Sequence, residues 1–170
     1  QWSVSSLSIA RNLLASTSLP NLGLAFFAGG SINVNLPQGQ VPFPTNAVDI
    51  FNAIGNYWTT AQLSTLSSGL TATSLPEQGL VFFAGGINEV ASSTNNVNIY
   101  DVKKDIVYSS NLKTARIMMN TVKLEKYGYA FFIGGVDQTG IVYDTIDIFG
   151  TCSAGTYNKT LTTSIKQCSE

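Results

Sequence analysis

The sequence predicts an all-β fold built by repetition, on three observations. An apolar run closed by paired glycines occurs three times: "GLAFFAGG" at 23–30, "GLVFFAGG" at 79–86 and "GYAFFIGG" at 128–135. Around each run lie stretches rich in Val, Ile, Phe, Tyr and Thr, the residues strands prefer. No window shows a convincing helical period. "NLLASTSL" comes nearest, and its serines and threonines compete with helix by bonding the local backbone. A motif repeated three times in one chain points to architecture before it points to a single active site.

The elements follow in order within each unit. The pairs Gly29-Gly30, Gly85-Gly86 and Gly134-Gly135 set the phase, with steps of 56 residues (29 to 85) and 49 residues (85 to 134). The first unit holds four strand-like runs, "LLASTSL", "GLAFFAGG", "AVDIFNA" and "NYWTTAQL". In the second run Leu24, Phe26 and Ala28 point one way, Ala25 and Phe27 the other. Both faces are apolar, so this strand is expected to be buried on both sides, between neighbouring sheets. The glycines then permit positive φ and close backbone approach where the chain leaves the strand. In the third run "AVDIF", "NVNIY" and "TIDIF" alternate, and Asp49, Asn98 and Asp147 either line a shared channel or, the preferred reading, face water at the side of each unit. Trp2, Trp58 and Val107 stand at equivalent positions, followed by Leu7, Leu63 and Leu112 and then by Arg11, Ser67 and Arg116.

Three aligned copies with a double glycine after an apolar strand, an aromatic residue further on (Tyr100), a tryptophan opening the next strand (Trp58) and Ala-Arg before the following one (Arg116) resemble kelch repeats over residues 1–149. The departures are Ser67 in place of arginine and Val107-Tyr108 in place of tryptophan. The resemblance implies a partial, about three-blade β-propeller of four-stranded antiparallel blades. The expected domain is 1–150, with an outer strand at 1–7 and blades at about 8–63, 64–112 and 113–149. Propellers close with about 4–8 blades. Two arrangements satisfy that: the chain is part of a longer propeller, or two copies make one ring. The first is preferred, because an unclosed array would expose apolar faces. The opening "QWSV" lacks Met and is expected to belong to a processed product or an excerpt.

Residues 151–170 change character and form a cysteine-rich tail. "CSAGTYNKT" is similar to the opening of the small cysteine-rich repeats of ephrin-receptor-like extracellular modules. That resemblance implies a Cys152–Cys168 disulfide, with two free thiols as the alternative. Asn158-Lys159-Thr160 matches the N-x-S/T acceptor pattern, which would place a glycan on Asn158 in a secreted protein.

Composition narrows the function. Charged residues make up 11% of the chain and hydrophobic ones 44%, with a net charge of −1. The longest basic run is Lys103-Lys104, so the clustered positive patch that nucleic acid requires is missing. Apolar runs end after about eight residues, short of the ~20 that span a bilayer. The chain has no histidine, which removes the commonest general base and metal ligand. Gly-Gly without a following helix and lysine does not make a phosphate cradle. Arg11 and Arg116 are read as donors to neighbouring carbonyls. Asp137 and Asp144 are carboxylates in one loop, without the density of a calcium site.

The expectation is a non-enzymatic structural or interaction module of a larger secreted or cell-surface protein, with no catalytic, cofactor or metal residues. Its partners are proteins or glycans, and its ring is completed by the remainder of its own propeller or a second copy. The alternatives are a galactose-oxidase-like propeller enzyme with catalytic residues outside this chain, and a cytosolic kelch substrate adaptor. Specificity is expected in the loops after the double glycines, above all 31–46, with Pro37, Pro42 and Pro44.

Overall fold

A computed structural model describes residues 2–150, together with the backbone of 157–159 and 167–169. The fold is all-β and antiparallel throughout. Three sheets follow one another along the chain and repeat one plan. The first holds β1 (Ala15–Leu19), β2 (Leu24–Ala28), β4 (Gly39–Asn52) and β5 (Tyr57–Ser67). Its β3 (Ser31–Leu36) pairs with the early part of β4 as a hairpin. The second sheet is β6 (Thr71–Leu75), β7 (Leu80–Ala84), β8 (Asn96–Asp101) and β9 (Ile106–Asn111). The third is β10 (Asn120–Leu124), β11 (Tyr129–Ile133) and β12 (Ile146–Gly150). A small pair, β13 (Tyr157–Lys159) and β14 (Gln167–Ser169), lies beyond them.

Register repeats with the sequence. Phe26 pairs with Ile50, Phe82 with Ile99 and Phe131 with Ile148. Paired residues share a face, so each sheet presents one face carrying Phe27, Phe83 or Phe132 and another carrying Phe26, Phe82 or Phe131. The sheets stack in chain order. Phe26, Val48 and Ile50 of the first meet Val81 and Phe83 of the second in one core. Phe82, Val97 and Ile99 of the second meet Ala130 and Phe132 of the third in another. The first strands of the sheets are bonded directly: Ser74 Oγ donates to the Ser18 carbonyl (2.8 Å) and Thr121 Oγ1 to the Ala72 carbonyl (3.2 Å).

Burial on both faces, expected for all three glycine strands, holds in full only for the middle one. Every residue of β7 is buried. In β2 Phe27 is half-buried while Phe26 is buried, and in β11 Phe131 is half-buried while Phe132 is buried. The cause is position, since among the described residues only the second sheet has a neighbour on each side.

The expected outer strand at 1–7 has no pairing partner within one copy among the described residues. Residues 2–7 carry no strand, and Trp2 and Val4 are each 99% exposed. A strand exists only with a ladder partner, and no described strand runs beside this segment.

The paired glycines meet their expectation. All six have positive φ, between 63° and 103°. A Cβ on Gly85 would lie 2.3 Å from the Arg116 carbonyl oxygen, and one on Gly29 would lie 2.6 Å from that of Ser67. The chain crossing to the next sheet runs against the glycines. It is bonded there, Gly30 N–H to the Ser67 carbonyl (2.9 Å) and Gly86 N–H to that of Arg116 (3.1 Å).

Candidate functional site

Two groups of residues are candidates: the polar side chains buried between sheets, and the surface built by the loops after the double glycines.

The polar set is one arrangement used three times. Asp49 Oδ1 accepts from Ser8 N–H (3.0 Å), Asn98 Oδ1 from Ser64 N–H (2.7 Å) and Asp147 Oδ1 from Lys113 N–H (2.8 Å). Ser64 lies at the outer end of the first sheet and Lys113 just beyond that of the second. Each acceptor thus holds the segment that leads into its own sheet. Asp49 and Asn98 are 2% and 4% exposed. The expectation that they face water is therefore overturned: a backbone N–H between sheets needs a buried acceptor.

Arginine completes the arrangement in two units. Arg11 forms an ion pair with Asp49 (2.6 Å) and donates to the Phe27 carbonyl (3.0 Å). Arg116, fully buried, pairs with Asp147 and donates to the carbonyls of Gly134 (2.6 Å) and Thr145 (2.8 Å). In the middle unit Ser67 Oγ donates to the Gly85 carbonyl (2.8 Å), the equivalent of Gly134. Serine with asparagine replaces arginine with aspartate, and a carbonyl contact survives. Burial raises the Asp49 carboxyl, but the bonds from Ser8 and Arg11 outweigh it and hold the group below the ordinary carboxylate range.

The aromatic markers are packing residues. Trp58 lies against Phe27 (5.8 Å between centroids) and Phe51 (5.1 Å), and Tyr100 lies against Phe26 (5.8 Å). Trp2 touches no described ring. Cys152 lies outside the described residues, as do the side chains of Cys168 and Asn158, so the disulfide and the glycan rest on the sequence. Among the described residues no three of His, Cys, Asp and Glu gather as a metal site, and no helix is long and apolar enough to cross a membrane.

The loops differ between units. After Gly86 the chain turns on Asn88, whose Oδ1 accepts from Val90 and Ser92 N–H. After Gly135 it turns on Asp137, whose Oδ1 accepts from Thr139 N–H, Thr139 Oγ1 and Ile141 N–H, and whose Oδ2 accepts from the Tyr143 hydroxyl (3.0 Å). Those bonds, the one from Thr139 Oγ1 foremost, lower the Asp137 carboxyl against a smaller effect of burial. Its oxygens serve the loop itself.

After Gly30 the chain instead extends as the β3–β4 hairpin. The segment expected as a loop, 31–46, is thus paired strand. Pro42 and Pro44 sit two apart on β4, so their missing N–H groups fall on one edge and leave the ladder intact. Ile32 pairs with Phe43 and Val34 with Val41, giving one apolar face. Asn33, Asn35 and Gln40 form the other. Leu36, Val41 and Phe43 are exposed, and residues 31–46 hold no charged side chain. Sequence reasoning found the place and missed the pairing; the alternation "SINVNL" was the available signal.

No protein-family model matches the chain, and no curated protein matches it.

Proposed function

We propose that the chain is a non-enzymatic interaction and assembly module, a kelch-type β-propeller segment of a secreted or cell-surface protein. The three repeated sheets, joined at their first strands and stacked in order, support the propeller reading. The tail sequence around Cys152, Asn158 and Cys168 supports the extracellular one.

One observation carries the functional reading. The side chains of Arg11, Asp49, Arg116 and Asp147 are committed to one another and to backbone groups, whereas the β3–β4 hairpin offers solvent an apolar face without charge. A protein spends exposed apolar surface of this kind on contact. Neutral chemistry with aliphatic, aromatic and amide groups suits a protein surface or a glycan better than an anion.

The test is retention of the secreted chain on immobilised matrix proteins and glycans. A matched version has 33–42 replaced by Asn-Gly, which closes a two-residue hairpin. Selective retention lost in the shortened version supports the reading; equal behaviour of the two sinks it. Intact mass with and without reductant tests the compartment: the mass should include a glycan and rise by two hydrogens on reduction.

A further inference from the structure

We propose that residues 2–7 of one copy form the fourth strand of the third sheet of a second copy, along β12, so that two chains close one ring. The inference rests on the propeller reading and adds the partner and its register.

Three features meet at this place. The first is the unpaired segment. By the repeat, Trp2 corresponds to Trp58 in β5 and Val107 in β9, and Ser8 to Ser64 and Lys113. Asp49 already holds Ser8 as Asn98 holds Ser64, so residues 2–7 leave the first sheet where the fourth strand of a preceding sheet ends.

The second feature is the edge. The first two sheets have a fourth strand paired to the third, β5 on β4 and β9 on β8. In the third sheet β12 pairs only with β11 among the described residues. Beside that edge a cleft of about 810 Å³ runs between the second and third sheets, lined by Ile99, Tyr108, Leu112, Phe132 and Phe149.

The third feature is the pair of outer faces. The face of the third sheet bearing Phe131 is the counterpart of those bearing Phe26 and Phe82. Each of these packs on the next sheet's Phe83 or Phe132. The Phe27 face of the first sheet is the counterpart of the receiving side. Val122, Leu124 and Ile146 on the donor face are exposed. A second copy presents to each face the surface that the repeat has already packed twice.

Register follows from the two sheets that have four strands. Phe51 pairs with Trp58 and Tyr100 with Val107, so Phe149 pairs with Trp2 and Asp147 with Val4. In that register Trp2 and Val4, the fully exposed apolar side chains of the segment, turn into the cleft, and Ser3 and Ser5 turn away. Trp2 would lie against Phe132 and Phe149 as Trp58 lies against Phe27 and Phe51. Contacts of this head-to-tail kind make rings when the rotation closes and filaments when it does not. Two copies give six sheets, inside the range of about 4–8 at which propellers close.

The experiment is sedimentation velocity on the 170-residue chain, with hydrogen exchange on the same samples. A discrete species of twice the chain mass is expected, with the amides of 146–150 protected. In a Trp58→Phe version Trp2 is the single tryptophan, and its emission should shift to the blue as the dimer forms. Trp2→Ala with Val4→Pro should return the protein to monomer. These residues make no described contact within one copy, so the monomer's own fold is not at stake. A monomer at near-millimolar concentration, an open-ended polymer, or a dimer indifferent to the double substitution overturns the proposal. A monomer with all three sheets protected from exchange leaves the propeller reading standing. A chain whose three sheets exchange independently defeats that reading instead.

Discussion

Ser67 and Arg116 take the same place in successive repeats, and each donates to the carbonyl of the first glycine of its own repeat, Gly85 or Gly134. The partner changes with the donor. Where arginine stands, aspartate pairs with it; where serine stands, asparagine occupies the aspartate's position in the repeat. A buried guanidinium without its carboxylate costs several kcal/mol, so the two positions must change together.

Arg116→Ser alone is expected to destabilise by about 3 kcal/mol, because it strands the Asp147 carboxylate between sheets. Arg116→Ser with Asp147→Asn recreates the middle unit's pair and should recover part of that loss. Urea unfolding of these two, of Asp147→Asn alone and of the unaltered protein measures the coupling, expected at about 0.5–3 kcal/mol. Strict additivity would show that the pair does not act as a unit.

Gly85→Ala should cost more than Gly134→Ala. Both need left-handed backbone, at about 1–2 kcal/mol for a side chain. Only at Gly85 does the added carbon also run into the carbonyl of the crossing segment, at Arg116; at Gly134 the nearest approach is an ordinary 3.4 Å, to the Tyr143 carbonyl. Equal losses in unfolding midpoint would refute the close-approach account.

Phe82→Ala and Phe131→Ala alter equivalent positions of the repeat with unequal results. Phe82 is fully buried between sheets, and its truncation should cost about 3–5 kcal/mol. Phe131 is half-buried on an outer face, and in the monomer its loss should be well under half as large. Chemical denaturation of the two proteins in dilute solution makes the comparison.

Acid should unfold the protein below about pH 4. The folded Asp49 carboxyl lies under its unfolded value of about 3.9, so its contribution is complete above that pH and is lost as pH falls through the folded value. Asp101 acts in the same direction: burial raises it, but the bonds from Lys104 lower it further. The Asp49→Asn protein should be less stable at neutral pH and show a shallower acid limb in thermal unfolding. An unchanged limb would assign the titration elsewhere.

Much of the fold was legible because repetition averages out local ambiguity. The four runs of the first unit each contain a strand, and the glycine phase marks where sheets cross. What escaped was anything set by neighbours. Phe26, Phe82 and Phe131 hold the same place in the repeat, yet their burial depends on which sheet lies beyond. Asp49 and Asn98 looked like solvent-side residues because alternation reports a face and not what covers it. The β3–β4 hairpin was hidden by its prolines, which usually mark loops and here occupy one edge of a ladder. For the candidate site, the sequence located the variable segment but gave no sign that its apolar residues share a face.

The necks of the three loops are fixed alike. Thr45 N–H donates to the Gly30 carbonyl (2.9 Å), Thr94 N–H to that of Gly86 (2.8 Å) and Tyr143 N–H to that of Gly135 (2.9 Å). Whether a short turn or a long hairpin emerges, strands on either side keep the same registration: Phe27 opposite Asp49, Phe83 opposite Asn98. The scaffold is thus insulated from its own decoration. Foreign peptides spliced between these clamps could be displayed without retuning the framework, and lineages carrying such a repeat would be free to diversify there first.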